Sequence, residues 1–418
     1  MLIGIIADDL TGAADAAAPF AARGLKSHVE WSPSLASDSC DAFAWTSETR
    51  DLPAHSAADI RSRVRGAARQ LAAFSPDLYF KKIDSTLRGH LSTELEAMRS
   101  ELPGRLAIVC PAFVEHGRTV QNGVLHVNGM PVQRVRDAFQ MAGEPSAVEL
   151  SIADVRDSGL QSRLQELTAR SVRAIDSGVA ELVAGADPFV NGPFSIRTIF
   201  CDAETAEDLD VVARAVAAMP QTLLPVGSAG LARALARAVA ESPLGEIVPK
   251  PSSETIRTRR LLVVVGSRNE VSRRQAACLS SRVGSVPIEL STEQSTGELE
   301  QLVIERFESG ADICLLQSPE RFIEGMTLPN VCSLSTIGRS VQGLSLIVTG
   351  GATAMSLIAQ ERSWSRIEVD GEIAPGIVTG RLVGAGADGQ PANAVPIVLK
   401  AGGFGDEETL VRCAGLDS

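Results

Sequence analysis

Residues 2–24 read LIGIIADDLTGAADAAAPFAARG, and this stretch predicts how the chain folds. A β-branched run at residues 3–6 ends at two adjacent carboxylates, Asp8 and Asp9, and an alanine-rich stretch of helical composition follows. This order predicts a strand, an acidic loop and a helix. Because ligands of doubly wound α/β sheets bind at the carboxyl ends of strands, we expect the two carboxylates to face a ligand. Helix capping is the alternative role for an Asp at this position, but a cap needs only one of the two.

The composition is typical of a globular protein with more than one core. A chain of 418 residues exceeds one ordinary domain, and its 44% hydrophobic and 22% charged residues are ordinary values. No apolar run reaches the ~18 residues of a membrane span, and no basic signal-peptide region precedes the first strand, so we expect a cytoplasmic protein. The seven cysteines stand singly, without metal-ligand spacing. The net charge of -12 argues against a nucleic-acid partner, because its phosphates would be repelled.

The most polar motif of the chain is KKIDSTLRGH at residues 81–90, directly after a short predicted strand at residues 78–80. It offers an ammonium, a carboxylate, a hydroxyl and a guanidinium group, on Lys82, Asp84, Ser85 and Arg88. The planar guanidinium matches a carboxylate or a phosphate, and the lysine adds a compact charge. The motif therefore suits a small acidic, hydroxylated ligand. A solvated run of charges at a strand end is the alternative interpretation.

Strands alternate with helical stretches along the rest of the first half. Further strands are predicted at residues 105–110, 172–175, 198–201 and 222–226. Asn-Gly pairs at residues 122–123 and 128–129 mark turns, which predicts a hairpin-like excursion from the sheet. Residues 242–258 are rich in Pro, Ser and charged residues and have no clear periodicity. We therefore place a domain boundary there.

This organisation predicts domains at residues 1–245 and 255–418. Repeated strand-then-helix units predict an α/β fold of two three-layer domains, with mostly parallel sheets and a cleft between them.

Three predicted strand ends in the second half carry glycine-rich loops. The loops begin with Gly266-Ser267, with Gly350-Gly351 and with Gly402-Gly403. Glycine lets backbone N–H groups approach a ligand closely, and a helix that begins after such a loop favours phosphate. Any one of these loops is explained by a tight turn alone, but three in one domain favour a phosphate or nucleotide cradle.

Named nucleotide motifs are absent from the sequence. It contains no G-x-x-x-x-G-K-[ST] and none of the protein-kinase signatures. Residues 384–389 formally match G-x-G-x-x-G, but Pro391 and a predicted strand follow where a dinucleotide-binding motif requires a helix. We therefore interpret that segment as a glycine-rich loop.

Taken together, these motifs resemble the four-carbon acid sugar kinase family, in consistent order from residue 2 to residue 405. The segments that carry the resemblance are ADDLTGAADAA, KKIDSTLRGH, Pro-Ala-Phe to Asn-Gly at residues 111–123, VGSAG at 226–230, VGS at 265–267, GGAT at 350–353 and KAGGFG at 400–405. The resemblance implies an amino-terminal domain that binds a sugar acid and a carboxy-terminal domain that binds ATP. It also implies phosphorylation of the terminal C4 hydroxyl of a tetronate, such as D-threonate, D-erythronate or 3-oxo-tetronate.

The resemblance further implies two sets of site residues. The acid-sugar set is Asp8, Asp9, Arg50, Lys82, Asp84, Ser85 and Arg88. The nucleotide set is Ser267, Gly350, Gly351, Ala352, Thr353, Gly402 and Gly403. Ala352 stands where the family commonly has Glu, which removes a contact to ribose or metal. Residues 47–50 read Ser-Glu-Thr-Arg where many members have Asp-Ser-Arg, so only Arg50 carries over from that segment.

Phosphoryl transfer needs an acceptor hydroxyl in line with the γ-phosphate, charge neutralisation and a carboxylate that takes the proton. We expect Arg88 and Lys82 to hold the substrate carboxylate and Asp9 or Asp84 to act as general base. Mg²⁺ is expected to bridge the nucleotide phosphates, through protein ligands that the sequence does not identify. The predicted catalytic set is therefore Asp9, Asp84 and Arg88.

The predicted partners are a small-molecule acid sugar and ATP, without nucleic acid or membrane, together with a second copy of the chain in a homodimer. Two alternatives stay open at this point. One is a non-catalytic sugar-acid-binding or sensor protein. The other is a dinucleotide-dependent α/β oxidoreductase that uses residues 384–389.

Overall fold

A computed structural model describes most of the chain. The described residues are 1–31, 40–141, 146–176, 196–241, 260–291, 294–319, 332–359, 361, 364–385 and 391–416. The predicted domain boundary at residues 242–258 and most of the glycine-rich segment at residues 384–389 lie outside these ranges. Among the described residues, no helix is both long enough and apolar enough to cross a membrane.

Strands and helices alternate over much of the described chain. The strands are β1 Ile3–Ala7, β2 Ser27–Glu30, β3 Ala42–Thr46, β4 Leu78–Lys82, β5 Leu106–Cys110, β6 Arg118–Gln121, β7 Val124–Val127, β8 Met130–Arg134, β9 Ala147–Leu150, β10 Thr198–Cys201, β11 Leu223–Gly227, β12 Arg260–Val265, β13 Ile288–Glu289, β14 Ile313–Gln317, β15 Leu344–Thr349, β16 Trp364–Ala374, β17 Ile377–Ala385 and β18 Pro391–Lys400. The α-helices are α1 Leu10–Ala21, α2 Ala57–Ala73, α3 Leu91–Glu101, α4 Val135–Ala138, α5 Ile152–Arg156, α6 Leu160–Asp176, α7 Ala206–Ala217, α8 Ala229–Ala240, α9 Glu270–Val283, α10 Thr296–Glu308, α11 Leu334–Ser340, α12 Gly351–Ile358 and α13 Thr409–Cys413. Short 3-10 helices occur at Ala54–Ser56 and Val114–His116.

The chain divides into two compact units. The amino-terminal unit contains Met1–Asp8 and Asp41–Val248, and the carboxy-terminal unit contains Asp9–Cys40 and Pro249–Ser418. Residues 9–40 therefore group with the carboxy-terminal unit, although they precede most of the amino-terminal unit in the sequence. Their strand β2 pairs antiparallel with β16, which is the physical reason for this grouping.

The amino-terminal unit contains a parallel sheet with the strand order β3-β1-β4-β11-β5-β10-β9. The strands β1, β3, β4, β5 and β11 are buried along their whole length, as expected for parallel strands that are covered on both faces. The predicted excursion at residues 111–129 is a separate antiparallel sheet of β6, β7 and β8. Its turn residues Asn122 and Asn128 adopt positive φ angles, as Asn-Gly turns require.

The carboxy-terminal unit has a mixed sheet. Its strand order is β13-β14-β12-β15-β18-β17-β16-β2, in which the first five strands run parallel and the others pair antiparallel. Helices α9 and α13 contribute apolar side chains to the core around β12, β15 and β18. Helix α1 is buried along its whole length, and its small alanine side chains let it pack closely against β16, β17 and α12.

The predicted α/β class with mostly parallel sheets is confirmed. The predicted strand at residues 172–175 is wrong, because those residues continue helix α6. Leu160, Leu164 and Leu167 stand at i, i+4 and i+7 along this helix, and all three are buried. That longer helical period outweighs the strand preference of Val172 and Ile175, the two β-branched residues of this segment.

Candidate active site

The predicted acid-sugar residues follow strands that end at one edge of the amino-terminal sheet. The strand register pairs Ala7 with Thr46 and with Lys82, and pairs Lys82 with Gly227. Because these strands are parallel, the segments after them emerge on the same side. The sheet therefore brings Asp8, Arg50 and residues 82–88 to a common edge.

Asp8 and Arg50 form a buried, bidentate ion pair at this edge. Arg50 Nε donates to Asp8 Oδ2 at 2.8 Å, and Arg50 Nη2 donates to Asp8 Oδ1 at 2.7 Å. Burial alone would raise the pKa of the Asp8 carboxyl, but Arg50 and the ammonium groups of Lys81 and Lys82 outweigh it and hold that pKa below its ordinary value. Asp8 therefore stays ionised and fixes the Arg50 guanidinium.

Asp84 organises the loop that follows β4. Its Oδ2 accepts hydrogen bonds from the Thr86 hydroxyl at 2.5 Å and from Arg88 Nε at 3.0 Å, and its Oδ1 accepts from Arg88 Nη2 at 2.8 Å. Burial raises the pKa of Asp84, but the Arg88 hydrogen bonds and the charges of Arg50 and Arg88 lower it well below its ordinary range. A carboxylate whose two oxygens both accept hydrogen bonds is better suited to positioning Arg88 than to taking a proton. The Arg88 side chain remains 66% exposed and so is accessible to a ligand.

Lys82 and Ser85 are both buried at the same edge. Lys82 Nζ donates to the Ile83 carbonyl oxygen at 3.0 Å, which turns the ammonium group back over the end of β4. Its charge acts on Asp8, as described above.

Behind these residues lies a buried ionic network that the sequence did not reveal. Lys81 Nζ lies 2.7 Å from Glu94 Oε2, and both side chains are 1% exposed. The Thr49 hydroxyl donates to Glu94 Oε1 at 2.8 Å, and the Thr49 and Arg50 amides donate to the Asp8 carbonyl oxygen. Glu94 on α3 thereby connects β4 to the segment that carries Arg50. Lys81 breaks the apolar pattern of a buried strand, which was the one sequence signal of a buried partner.

Arg118 is another residue that sequence reasoning did not assign. It lies at the start of β6, where its backbone bridges to Phe113. Burial lowers the pKa of the Arg118 guanidinium, and the charges of Asp84 and Arg88 act on it. Arg118 therefore adds a cation to the neighbourhood of the loop after β4.

The predicted nucleotide residues meet at the carboxyl edge of the other sheet. The strand register pairs Val265 with Thr349, and Thr349 with Lys400, so the three glycine loops emerge on one side. A Cβ atom on Gly402 would come within 2.1 Å of Ser267 Oγ, and one on Gly350 would lie 3.5 Å from Ser267 Cβ. The three loops therefore pack against one another around Ser267.

Glycine is required in these loops for two physical reasons. Gly350 has a φ of +96°, which L side chains rarely adopt, and Gly266 leaves room for the Thr353 side chain. Close packing of the loops thus explains part of the glycine pattern without a ligand. At the start of α12, Ala352 is exposed, and the first turn of the helix itself contains no acidic residue. A helix start of this kind fits a phosphate group.

Asp9 belongs to this second cluster, whereas the sequence grouped it with the acid-sugar residues. It is the N-cap of α1: Oδ1 accepts from the Gly12 amide at 2.7 Å, and Oδ2 accepts from the Thr11 hydroxyl at 2.8 Å. A Cβ atom on Gly351 would come within 2.5 Å of Asp9 Oδ2. The two consecutive aspartates therefore have different surroundings, with Asp8 against Arg50 and Asp9 against the start of α12.

Within the described ranges, no group of three or more His, Cys, Asp or Glu side chains could hold a metal ion. Mg²⁺ in phosphoryl-transfer sites typically takes one or two carboxylates and otherwise binds phosphate oxygens and water.

Gly351→Ala tests the contact with Asp9. The added methyl group meets the Asp9 carboxylate and displaces it. Because misplacement of a catalytic group by about 1 Å can have large effects on rate, we expect the variant to lower kcat of the expected phosphoryl transfer by about 10- to 100-fold. Gly297→Ala in the first turn of α10 is the matched control, because a Cβ atom there meets nothing within 4 Å. Steady-state kinetics of both variants make the comparison, and equal kcat values for the two would show that the contact has no role.

Two domain families match the sequence. The model of the sugar-binding N-terminal domain matches residues 3–235, and that of the nucleotide-binding C-terminal domain matches residues 331–410. A D-threonate kinase from Bordetella bronchiseptica is 31% identical, over 99% of this chain and 96% of its own. A D-erythronate kinase from Heliobacterium modesticaldum is 27% identical, over 98% of this chain and 95% of its own. The crystal structure of a Haemophilus influenzae protein of family DUF1537 has a similar fold, with a TM-score of 0.64 at 20% identity and coverage of 99% of both chains.

Proposed function

This chain belongs to the four-carbon acid sugar kinase family and is a carbohydrate kinase, and from that premise we propose that it transfers the γ-phosphoryl group of ATP to the terminal C4 hydroxyl of a tetronate. We propose D-threonate as the first substrate to test, because the D-threonate kinase relative is 31% identical to this chain and the D-erythronate kinase relative is 27% identical at similar coverage. D-Erythronate and 3-oxo-tetronate are the other substrates of the same class.

The observation that carries the ATP part of the proposal is the packing of three glycine loops around Ser267, next to the exposed start of α12. Backbone amides at such a helix start stabilise phosphate charge without a lysine from a P-loop. Ser267, Gly350, Gly351, Ala352, Thr353, Gly402 and Gly403 are the proposed nucleotide residues. Mg²⁺ would supply charge neutralisation on the phosphate oxygens.

The sugar-acid part of the proposal depends on the cations of the amino-terminal sheet edge. Arg88 is the most accessible of them, and Asp84 holds its guanidinium by two hydrogen bonds. We assign the substrate carboxylate to Arg88, with Lys82 contributing charge from its buried position. Arg50 stays fixed by Asp8, and the buried Ser85, next to Asp84 in the sequence, is the proposed hydroxyl donor.

The proton of the acceptor hydroxyl goes to Asp9 in this proposal. Asp84 is the weaker choice for general base, because its pKa is strongly lowered and its two oxygens are held by the Arg88 guanidinium. A general base of this kind typically contributes ~10²- to 10⁴-fold to the rate.

A coupled assay with a panel of four-carbon acids tests the function. We expect ATP-dependent release of ADP only when a tetronate is added, with the phosphate found on C4 by phosphorus and carbon NMR. ADP release that no tetronate stimulates would contradict the proposal. A change in nicotinamide absorbance with the same acids would instead support the oxidoreductase alternative.

A further inference from the structure

Buried polar side chains donate hydrogen bonds to the backbone carbonyls of the loop at residues 401–406, which follows β18. Lys400 Nζ donates to the carbonyl oxygens of Ala401 at 2.9 Å and Gly402 at 3.3 Å. The Ser272 hydroxyl donates to the same Gly402 oxygen at 2.6 Å. Both side chains are fully buried, so these bonds are made away from competing water.

Gln275 extends this arrangement to the other end of the loop. Its Nε2 donates to the carbonyl oxygens of Phe404 at 3.1 Å and Asp406 at 2.7 Å, and the side chain is fully buried. Ser272 and Gln275 stand three residues apart on α9, which places them on one face of that helix. One helix face and one strand-end lysine therefore hold four carbonyl groups of the loop.

The geometry of the peptide bond then fixes the direction of the loop amides. In a planar trans peptide the N–H of each residue points opposite to the carbonyl of the residue before it. Because the Ala401 and Gly402 carbonyls point toward Lys400 and Ser272, the N–H groups of Gly402 and Gly403 point away from the core. These two glycines pack beside Ser267 and Asn269, within the cluster of glycine loops described above.

We propose that Lys400, Ser272 and Gln275 are positioning residues for the nucleotide, which hold the loop carbonyls inward so that the Gly402 and Gly403 amides face the phosphates. This inference rests on the proposed function, since it concerns the same nucleotide. It adds residues that act through the backbone and do not themselves contact the ligand. It also assigns a role to the buried Lys400, which takes no part in the phosphoryl-transfer steps proposed above.

Lys400 makes this arrangement sensitive to pH. Burial lowers the pKa of its ammonium group to about 8, and the Cys413 thiol of α13 is the titratable neighbour whose charge raises it. Its partners in the strand register, Thr349 and Ile377, carry no ionisable groups. The protonated form predominates below pH 8, so nucleotide affinity is expected to be highest there and to fall as the pH rises through that value.

Calorimetric titration with ADP and steady-state kinetics of Lys400→Met and Ser272→Ala test the proposal. A hydrogen bond to a charged group contributes about 1.5–3 kcal/mol, so we expect Lys400→Met to weaken ADP binding by about 10- to 100-fold. KM for ATP should rise in parallel, while KM for the tetronate stays unchanged. The wild-type Kd for ADP should increase from pH 7 to pH 9, and that of Lys400→Met should not.

Ser280→Ala is the matched control for Ser272→Ala. Ser280 lies on the same helix and also donates to a loop carbonyl, that of Ser285, at 2.7 Å. We expect Ser272→Ala to weaken ADP binding and Ser280→Ala to leave it unchanged. Ser272→Ala also keeps the proposal falsifiable if Lys400→Met fails to fold.

The experiments distinguish failure of the positioning role from failure of the proposed function. Wild-type affinity for ADP in both Lys400→Met and Ser272→Ala, or an equal rise of both KM values, would overturn the positioning role. Absence of tetronate-dependent ADP release from the wild-type protein would instead overturn the proposed function, whatever the ADP affinities of the variants.

Discussion

Asp9→Asn is expected to lower kcat for tetronate phosphorylation by about 10²- to 10⁴-fold while the protein stays folded. The substitution replaces a proton acceptor by an amide of the same shape. Asn is as good an N-cap residue as Asp, so its side-chain oxygen can still accept the hydrogen bond from the Gly12 amide. The loss of rate therefore reports proton transfer and not loss of helix α1.

Asp9→Ala separates the two roles of this residue. It removes the cap as well as the carboxylate, so we expect the same loss of kcat together with a loss of about 1 kcal/mol in the free energy of unfolding. Ser295→Ala at the N-cap of α10 is the control, because it removes a comparable cap without touching the glycine loops. That variant should lose stability and keep its kcat. A near-normal kcat for Asp9→Asn would remove Asp9 from the proposed catalytic role.

Glu94→Leu is expected to destabilise the amino-terminal unit by about 3–5 kcal/mol, because it breaks a buried ion pair. The substitution leaves the Lys81 ammonium group buried without the carboxylate that lies 2.7 Å away. It also removes the acceptor of the Thr49 hydroxyl. Urea denaturation measures the loss, and hydrogen exchange at the amides of β1, β3 and β4 locates it.

The double variant Lys81→Met/Glu94→Leu is the decisive comparison. Removing both charges leaves no uncompensated ion, so we expect the double variant to recover most of the stability that the single variant loses. Glu101→Gln on the same helix disrupts an ion pair with the exposed Arg69 and should leave stability unchanged. A Glu94→Leu variant as stable as the wild type would show that the buried pair contributes nothing.

The sequence predicted local features well where a short motif decides them. The β-branched run before Asp8 and Asp9 predicted a strand and a helix, and both occur as β1 and α1. The Asn-Gly turns predicted the excursion that forms β6 to β8. In each case the signal lies within a few residues, so it requires no knowledge of what packs against it.

Partners that are distant in the sequence could not be predicted in this way. Nothing within residues 27–30 indicates that β2 pairs with β16, because strand pairing is chosen by the whole fold. The same limit applies to Glu94, whose partner Lys81 belongs to another element, and to Asp9, whose neighbour Gly351 lies far along the chain. The motifs indicated which segments lie together at each sheet edge, but they did not indicate the side-chain pairings within the two clusters.

The grouping of residues 9–40 with the carboxy-terminal unit has a consequence for biosynthesis. Glu30 of β2 pairs with Arg366 of β16, so α1 and β2 leave the ribosome long before the strand that receives them. At about 5–20 residues per second the delay is on the order of tens of seconds, during which the apolar α1 needs protection from aggregation. A recombinant fragment that begins at residue 255 would likewise lack β2 and leave β16 as an open edge, which favours association with other chains. Expression of the carboxy-terminal unit by itself therefore requires residues 9–40 to be grafted onto it.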